Sequence, residues 1–265
     1  MFQSMFRYLL ELSFAVSAAA LFLSLTLAME VGYLIGRHTV VEPSERSAES
    51  SSVSTLTAGM LGLLAFTLSL SIGFAQTRYE VRRGLVLSEA NAIGTAWLRA
   101  TLIDGDEGPA ISSKIADYAH ARLDFTIAPS DADVPAVVTR TNALQSDIWR
   151  MMQAVARRAP NPVTTALVSA LNDMFDLSVS QRFAYESSVP EALMLALYIG
   201  ALLAMGALGY QFGLAHKRQI VLSSLLLLMW SGGMLLIVDL SKPRMGDIRV
   251  DAEPLIWTIQ EFDQK

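Results

Sequence analysis

Apolar positions along this chain gather into four long blocks instead of the short alternating runs of a soluble domain. Ala192 to Leu214 carries no charged residue, and neither does Ile220 to Val238, which centres on Leu225-Leu226-Leu227-Leu228-Met229-Trp230. Only the basic link His216-Lys217-Arg218 stands between them. Nearer the N-terminus, Leu12 to Ile35 is apolar except for Glu30 and a few hydroxyls, and Leu56 to Ala75 has no charge at all. A helix of ~20 apolar residues matches the ~30 Å hydrocarbon core of a bilayer. The pattern therefore predicts transmembrane helices over 12–35, 55–75, 191–213 and 220–240. The apolar core of a signal peptide is about 7–15 residues long and ends at a small-residue cleavage site. The first block is longer and runs on past Ser17-Ala18-Ala19-Ala20, so it reads as a retained span.

The polar stretches between the blocks differ in kind. Residues 36–54, with Glu42-Pro43-Ser44-Glu45-Arg46-Ser47 and Ser50-Ser51-Ser52, have no hydrophobic period and predict an exposed, serine-rich loop. Residues 76–189 are too many for a structureless connection and show helical spacing throughout. Val81, Leu85, Ala92, Ile93, Ala96 and Trp97 place a first helix over 78–102, and with no breaker between Ala75 and Arg78 the second span should run straight into it. Asp104-Gly105-Asp106-Glu107-Gly108-Pro109 ends it, and further helices follow at 110–127 and 135–158. The last begins at Asn161-Pro162, with Asn161 as the cap and proline at the first helical position, where its missing N–H costs nothing. The expected class is an all-α membrane protein. Residues 1–75 hold spans one and two with the loop, 76–189 form a cytosolic helical insert, 190–240 hold spans three and four, and 241–265 are a cytosolic tail.

Composition agrees with that division. Hydrophobic residues make up 52% and mean hydropathy is +0.40, while charged residues are held to 17%, below the ~25% of soluble domains. A net charge of -5 gives no basis for a nucleic-acid partner, and the lack of cysteine excludes disulfides and thiolate chemistry. Lysine and arginine near the span ends set orientation. With the N-terminus inside, Arg7, Arg78, Arg82, Arg83, Arg182, Lys242, Arg244 and Arg249 fall on the inner side, against Arg37, Arg46, Lys217 and Arg218 outside. Both termini and the insert are thus expected in the cytoplasm.

Candidate chemistry is sparse. His38, His120 and His216 lie in separate segments without metal-site spacing, and neither a nucleophile elbow nor a phosphate loop is present. No enzymatic role, metal or cofactor is expected. Gly206, Gly209 and Gly213 in span three allow close helix approach, and Gly232-Gly233 would permit a bend in span four. Span two is rich in hydroxyls. Those groups can simply bond their own backbone, or they can wet a passage. Thr57, Leu61, Leu64, Leu68 and Ser71 share one helical stripe, with a hydroxyl at each end and leucines between. Hydrophobic constrictions of that kind gate ions by dewetting. Ionisable groups at membrane depth are functional candidates, which singles out Glu30, and Asp173 with Asp176 beside Asn172 could meet a cation.

Three segments carry a family likeness. They are Gly62-Leu63-Leu64-Ala65-Phe66-Thr67-Leu68-Ser69-Leu70 leading through Arg78-Tyr79-Glu80-Val81-Arg82-Arg83 to Glu89-Ala90-Asn91-Ala92-Ile93-Gly94-Thr95-Ala96-Trp97-Leu98-Arg99; Ala170-Leu171-Asn172-Asp173-Met174-Phe175-Asp176; and Asp239-Leu240-Ser241-Lys242-Pro243-Arg244. Together they resemble the bacterial bestrophin-like family, a domain of unknown function distantly similar to bestrophin channels. The resemblance implies a homo-oligomer, a pentamer by analogy, that conducts inorganic ions across the bacterial inner membrane through a pore lined by span two. The neck would then fall on the Thr57, Leu61, Leu64, Leu68 stripe. The paired tryptophans of bestrophins after this tyrosine are absent. The aromatic and proline pattern of the bestrophin neck is not matched, so ion selectivity does not carry over, and the calcium-binding acidic cluster of animal bestrophins has no counterpart. The alternative is a non-conducting membrane scaffold or stress-signalling protein that binds a cytosolic partner through the insert.

Overall fold

A computed structural model of the chain describes residues 14–39, 46–244 and 247–264. In chain order its helices are α1 (Phe14–His38), α2 (Arg46–Ala100), α3 (Glu107–Ile127), α4 (Val134–Arg158), α5 (Pro162–Glu186), α6 (Glu191–Leu214), α7 (Ile220–Ser241) and α8 (Glu253–Asp263). There is no strand among the described residues. Among the described residues, four helical stretches are long and apolar enough to cross a membrane, and the chain is an all-α membrane protein. The chain divides into two compact units, one ending at Gln76 and resuming over Val189–Ser241, the other comprising Thr77–Ser188 with Lys242–Lys265.

The first unit is built around the pairing of α1 with α6. Gly209 and Gly213 of α6 lie against α1, where an added Cβ would come within 3.0 Å of the Met29 and Tyr33 carbonyl oxygens. Gly32 and Gly36 of α1 meet the Gly206 and Tyr210 carbonyls in the same way. Backbone therefore touches backbone from both sides, which only glycine permits in lipid, where apolar burial by itself does not drive helices together. The Gly232-Gly233 pair does not break α7, which runs unbroken from Ile220 to Ser241. Gly233 instead makes room for the Leu68 side chain of α2, 2.9 Å from where a Cβ would stand.

α2 is a single helix of 55 residues. The serine-rich stretch expected as loop over 36–54 differs here: Arg46 to Ser54 already belong to α2, α1 reaches His38, and residues 40–45 lie outside the described set. Once span two is helical, extending it by a turn or two is easy, because propagation adds a bond for each residue ordered. The hydroxyls do not oppose this. Thr55 Oγ1 donates to the Ser51 carbonyl at 3.0 Å, inside the helix. Span one was expected from residue 12, and its first two residues also fall outside the described set.

The second unit gathers its core from the lower part of α2 and from α3, α4, α5 and α8. Val86, Ile93, Ile111, Ile115, Phe125, Ile148, Leu167, Leu171 and Leu255 are all buried there. Asn161 caps α5 as its sequence suggests, its Oδ1 accepting from the Thr164 N–H at 2.8 Å. The tail, read from sequence without structure, forms α8. Its signal was present in Pro254 near the helix start and in Leu255, Ile259 and Phe262 at three- and four-residue spacing. Phe262 stacks on Trp97 with ring centroids 4.8 Å apart, and Thr258 Oγ1 reaches the Ala90 carbonyl at 3.4 Å.

Candidate functional site: the two faces of helix α2

At about 100° per residue, a straight helix keeps residues three, four, seven and eleven apart on one face. On α2 that projection separates two sides. Thr57, Leu64, Ser71, Ala75, Arg82, Val86, Glu89, Ile93, Ala96 and Ala100 form one, and all ten are buried. Opposite them, Ser51, Thr55, Gly59, Gly62, Phe66, Ser69, Gly73, Thr77, Glu80, Gly84, Leu87, Asn91, Thr95 and Leu98 fall within an arc of about 80°, and every one is exposed.

The stripe read from sequence as pore-lining belongs to the closed side. Thr57 is 2%, Leu64 5% and Ser71 1% exposed, and Leu61 and Leu68 are partly covered. Leu64 packs toward Gly200 and Leu68 toward Gly233. Within the single chain, Thr57, Leu64 and Ser71 of the stripe are therefore closed off, while Leu61 and Leu68 keep part of their surface open. Leucines at core spacing look alike whether the core is a pore neck or a helix bundle. Thr57 pays for this position, since its buried Oγ1 has no hydrogen-bond partner, whereas Ser71 Oγ donates to the Thr67 carbonyl at 2.8 Å.

The open arc has a different composition. Within the span it is made of Thr55, Gly59, Gly62, Phe66, Ser69 and Gly73, so Phe66, 62% exposed, is its only large side chain. A Cβ added at Gly59, Gly62, Gly73 or Gly84 would meet nothing within 4 Å. Gly62, Gly73 and Gly84 recur every eleven residues, which keeps them on one line along a helix. The chain's own packing demands none of them.

The other predicted ion-interacting residues are placed as follows. Glu30, on α1, is held by Arg218 of the α6–α7 link: Nη1 donates to Oε1 at 3.3 Å and Nη2 to Oε2 at 3.1 Å, with the guanidinium 4.3 Å over the Tyr33 ring. Arg218 thus gives Glu30 a basic partner, and both side chains stay half exposed. Asp173 and Asp176 lie exposed on α5, and among the described residues no third acid or histidine joins them to hold a metal ion.

The second unit contains a buried ionic cluster that spacing alone did not reveal. Arg122 Nε donates to Glu89 Oε1 at 2.6 Å, and its Nη2 reaches Glu89 Oε2 at 3.4 Å and bonds the Gln181 Oε1. Gln181 in turn donates to Thr126 Oγ1 at 3.3 Å. Burial pushes the Glu89 carboxyl above its usual range, with Arg122 pulling the other way. Burial likewise pushes the Tyr118 and Tyr185 hydroxyls up to about 12. Arg244 enters from beyond α7, stacked 4.8 Å from both Phe125 and Tyr185 and paired with Asp131 at 3.2 Å. The fully buried Glu89–Arg122 pair is weak evidence for stability, but removing one of its partners leaves a buried charge and costs about 3–5 kcal/mol.

The family model described as a Bestrophin-like domain matches residues 13–255, nearly the whole chain. This chain belongs to the bestrophin-like family. Among solved structures, it is similar to a bestrophin homologue from Klebsiella pneumoniae carrying one substitution, at TM-score 0.63 and 15% identity, covering 94% of this chain and 97% of that one. A second variant of that homologue gives TM-score 0.61 at 17% identity over 92% and 96% of the two chains. A crystal structure described only as a membrane protein gives 0.61 at 18% over the same shares. At such identities the likeness shows the fold alone. No curated protein matches the sequence. In this bestrophin-like chain the segment Arg78 to Arg83 divides across the helix: Arg82 is buried on the closed side, its Nε donating to the Arg78 carbonyl at 3.2 Å, and Glu80 stands on the open one. Glu89, which opens the next family segment, is the buried partner of Arg122.

Proposed function

We propose that the chain is the subunit of a homo-oligomeric ion channel in the bacterial inner membrane, with α2 of each copy walling the pore through its open arc. Characterised members of the family are ion channels, which supports the activity. The observation that carries the assignment to this face is the unbroken exposed arc from Ser51 to Leu98, small and hydroxylated through the span except at Phe66. Glycine and hydroxyl side chains leave width and hydrogen-bonding groups for hydrated ions, and one aromatic ring per copy makes an apolar constriction that gates by dewetting. In a closed cyclic assembly the same face of every copy meets the axis, a pentamer by family analogy. The distribution of lysine and arginine supports cytoplasmic termini, with the second unit on the same side.

The test is ion current from the purified, size-defined oligomer in planar bilayers, for the wild type, Phe66→Ser and Leu64→Ser. A current raised at least about tenfold by Phe66→Ser, with removal of a dewetted constriction of ~1.4 kcal/mol or more, and left near wild type by Leu64→Ser supports the reading. Silence from wild type and Phe66→Ser alike, in well-folded oligomers, overturns it.

A further inference from the structure

We infer that Glu80 determines the charge selectivity of this passage and makes it prefer cations over anions; the inference rests on the channel reading above. Along the open arc from Ser51 to Leu98, Glu80 is the only ionisable residue. It is on the line of Gly62 and Gly73, about four turns and about 21 Å beyond Phe66, with only Ser69, Gly73 and Thr77 of the arc between. Its side chain is 52% exposed in the single chain.

Three arginines crowd the same stretch of helix, and the helix turns two of them away. Arg82 falls about 200° round from the arc's glycine line and Arg78 about 160°; the first is buried and the second is half covered. Arg83 sits at the arc's edge, about 60° off, with Nη1 4.0 Å from Glu80 Oε2. At that separation, with both side chains exposed, the pair is weak and screened. Rotational symmetry would bring every copy's Glu80 to one level. The Debye length is about 8 Å at physiological ionic strength, so carboxylates ringed around a narrow mouth act together on an ion between them. The in-membrane part of the arc is uncharged and supplies width without sign, which leaves the sign to this level.

The experiment is the reversal potential of the full-length oligomer in planar bilayers under a potassium chloride gradient, for wild type, Glu80→Gln and Glu80→Lys, each also in the Phe66→Ser background to secure a measurable current. One kT of negative potential at the mouth changes the cation-to-anion ratio by about sevenfold. The wild type is expected to favour potassium, Glu80→Gln to lower the potassium-to-chloride permeability ratio by about that factor for each kT removed, and Glu80→Lys to favour chloride. Arg83→Gln is expected to raise the ratio. Conducting variants of Glu80 that keep the wild-type ratio overturn the inference and leave the channel reading standing. Absence of current in the wild-type and Phe66→Ser proteins overturns both.

Discussion

Glycine serves opposite ends in two regions of this protein. Between α1 and α6, an added Cβ at Gly32, Gly36, Gly209 or Gly213 would strike a carbonyl of the facing helix at less than 3.0 Å. On α2, the same atom at Gly59, Gly62, Gly73 or Gly84 would meet nothing. The first set is explained inside the chain, because two backbones in lipid gain from approaching closely and only a missing side chain allows it. The second set has no such explanation. Glycine in a helix interior costs about 0.5–1 kcal/mol relative to alanine, so four of them along one exposed face point to something outside the single chain. A shared passage, needing width at each level, supplies a reason. A glycine's presence in a membrane helix thus carries no meaning until its surroundings are known.

The largest effect should come from the closed set. Gly209→Ala forces a methyl into the Met29 carbonyl, and as neither backbone can yield like a side chain, a loss of about 1–3 kcal/mol or more is expected. Denaturant titration of the detergent-solubilised protein, followed by helicity, measures it. A variant as stable as wild type would break the comparison, since α1 and α6 would not be in backbone contact.

The open set should respond in the opposite direction. Gly84→Ala lies beyond the second apolar block and meets nothing, so it should stabilise by about 0.5–1 kcal/mol and raise the midpoint of the same titration. Gly62→Ala and Gly73→Ala should leave the midpoint near wild type while reducing single-channel current, because each copy then adds a methyl to the wall. If these two lower stability as Gly209→Ala does, the open face is occupied by packing after all.

The smallest effect falls on the closed side of α2 itself. Thr57→Val replaces a buried hydroxyl that has no partner, and a gain of up to about 1 kcal/mol is expected with unchanged current. Thr55→Val, two residues away on the open arc, should alter current without altering stability. The pair of variants differs by one side of one helix, which makes it the sharpest reading of which face meets ions.

Much of the architecture was legible in the order of residues. The four apolar blocks, the passage of span two into a further helix, the Asn161 cap and the glycines of span three all follow from length, periodicity and local hydrogen bonding, which act within a few turns of chain. What escaped depends on distant partners. Glu89 and Arg122 are 33 positions apart, and Gln181 is 59 beyond Arg122; nothing local marks them as one buried group. Arg218 reaches Glu30 across 188 positions. α8 carries a helical period over only eleven residues, a short window for a pattern to stand out.

The sequence by itself determined that the protein is helical, that it crosses a membrane, and that α2 has a face with a distinct period, because burial in lipid and helix geometry are properties of a single segment. It could not determine which side of α2 faces inward. Thr57, Leu64 and Ser71 recur with the same spacing as Thr55, Gly62 and Ser69, and a helix has no inside until other helices arrive. Only the tertiary structure, by laying Gly200 and Gly233 against Leu64 and Leu68, closed one side and left the other open.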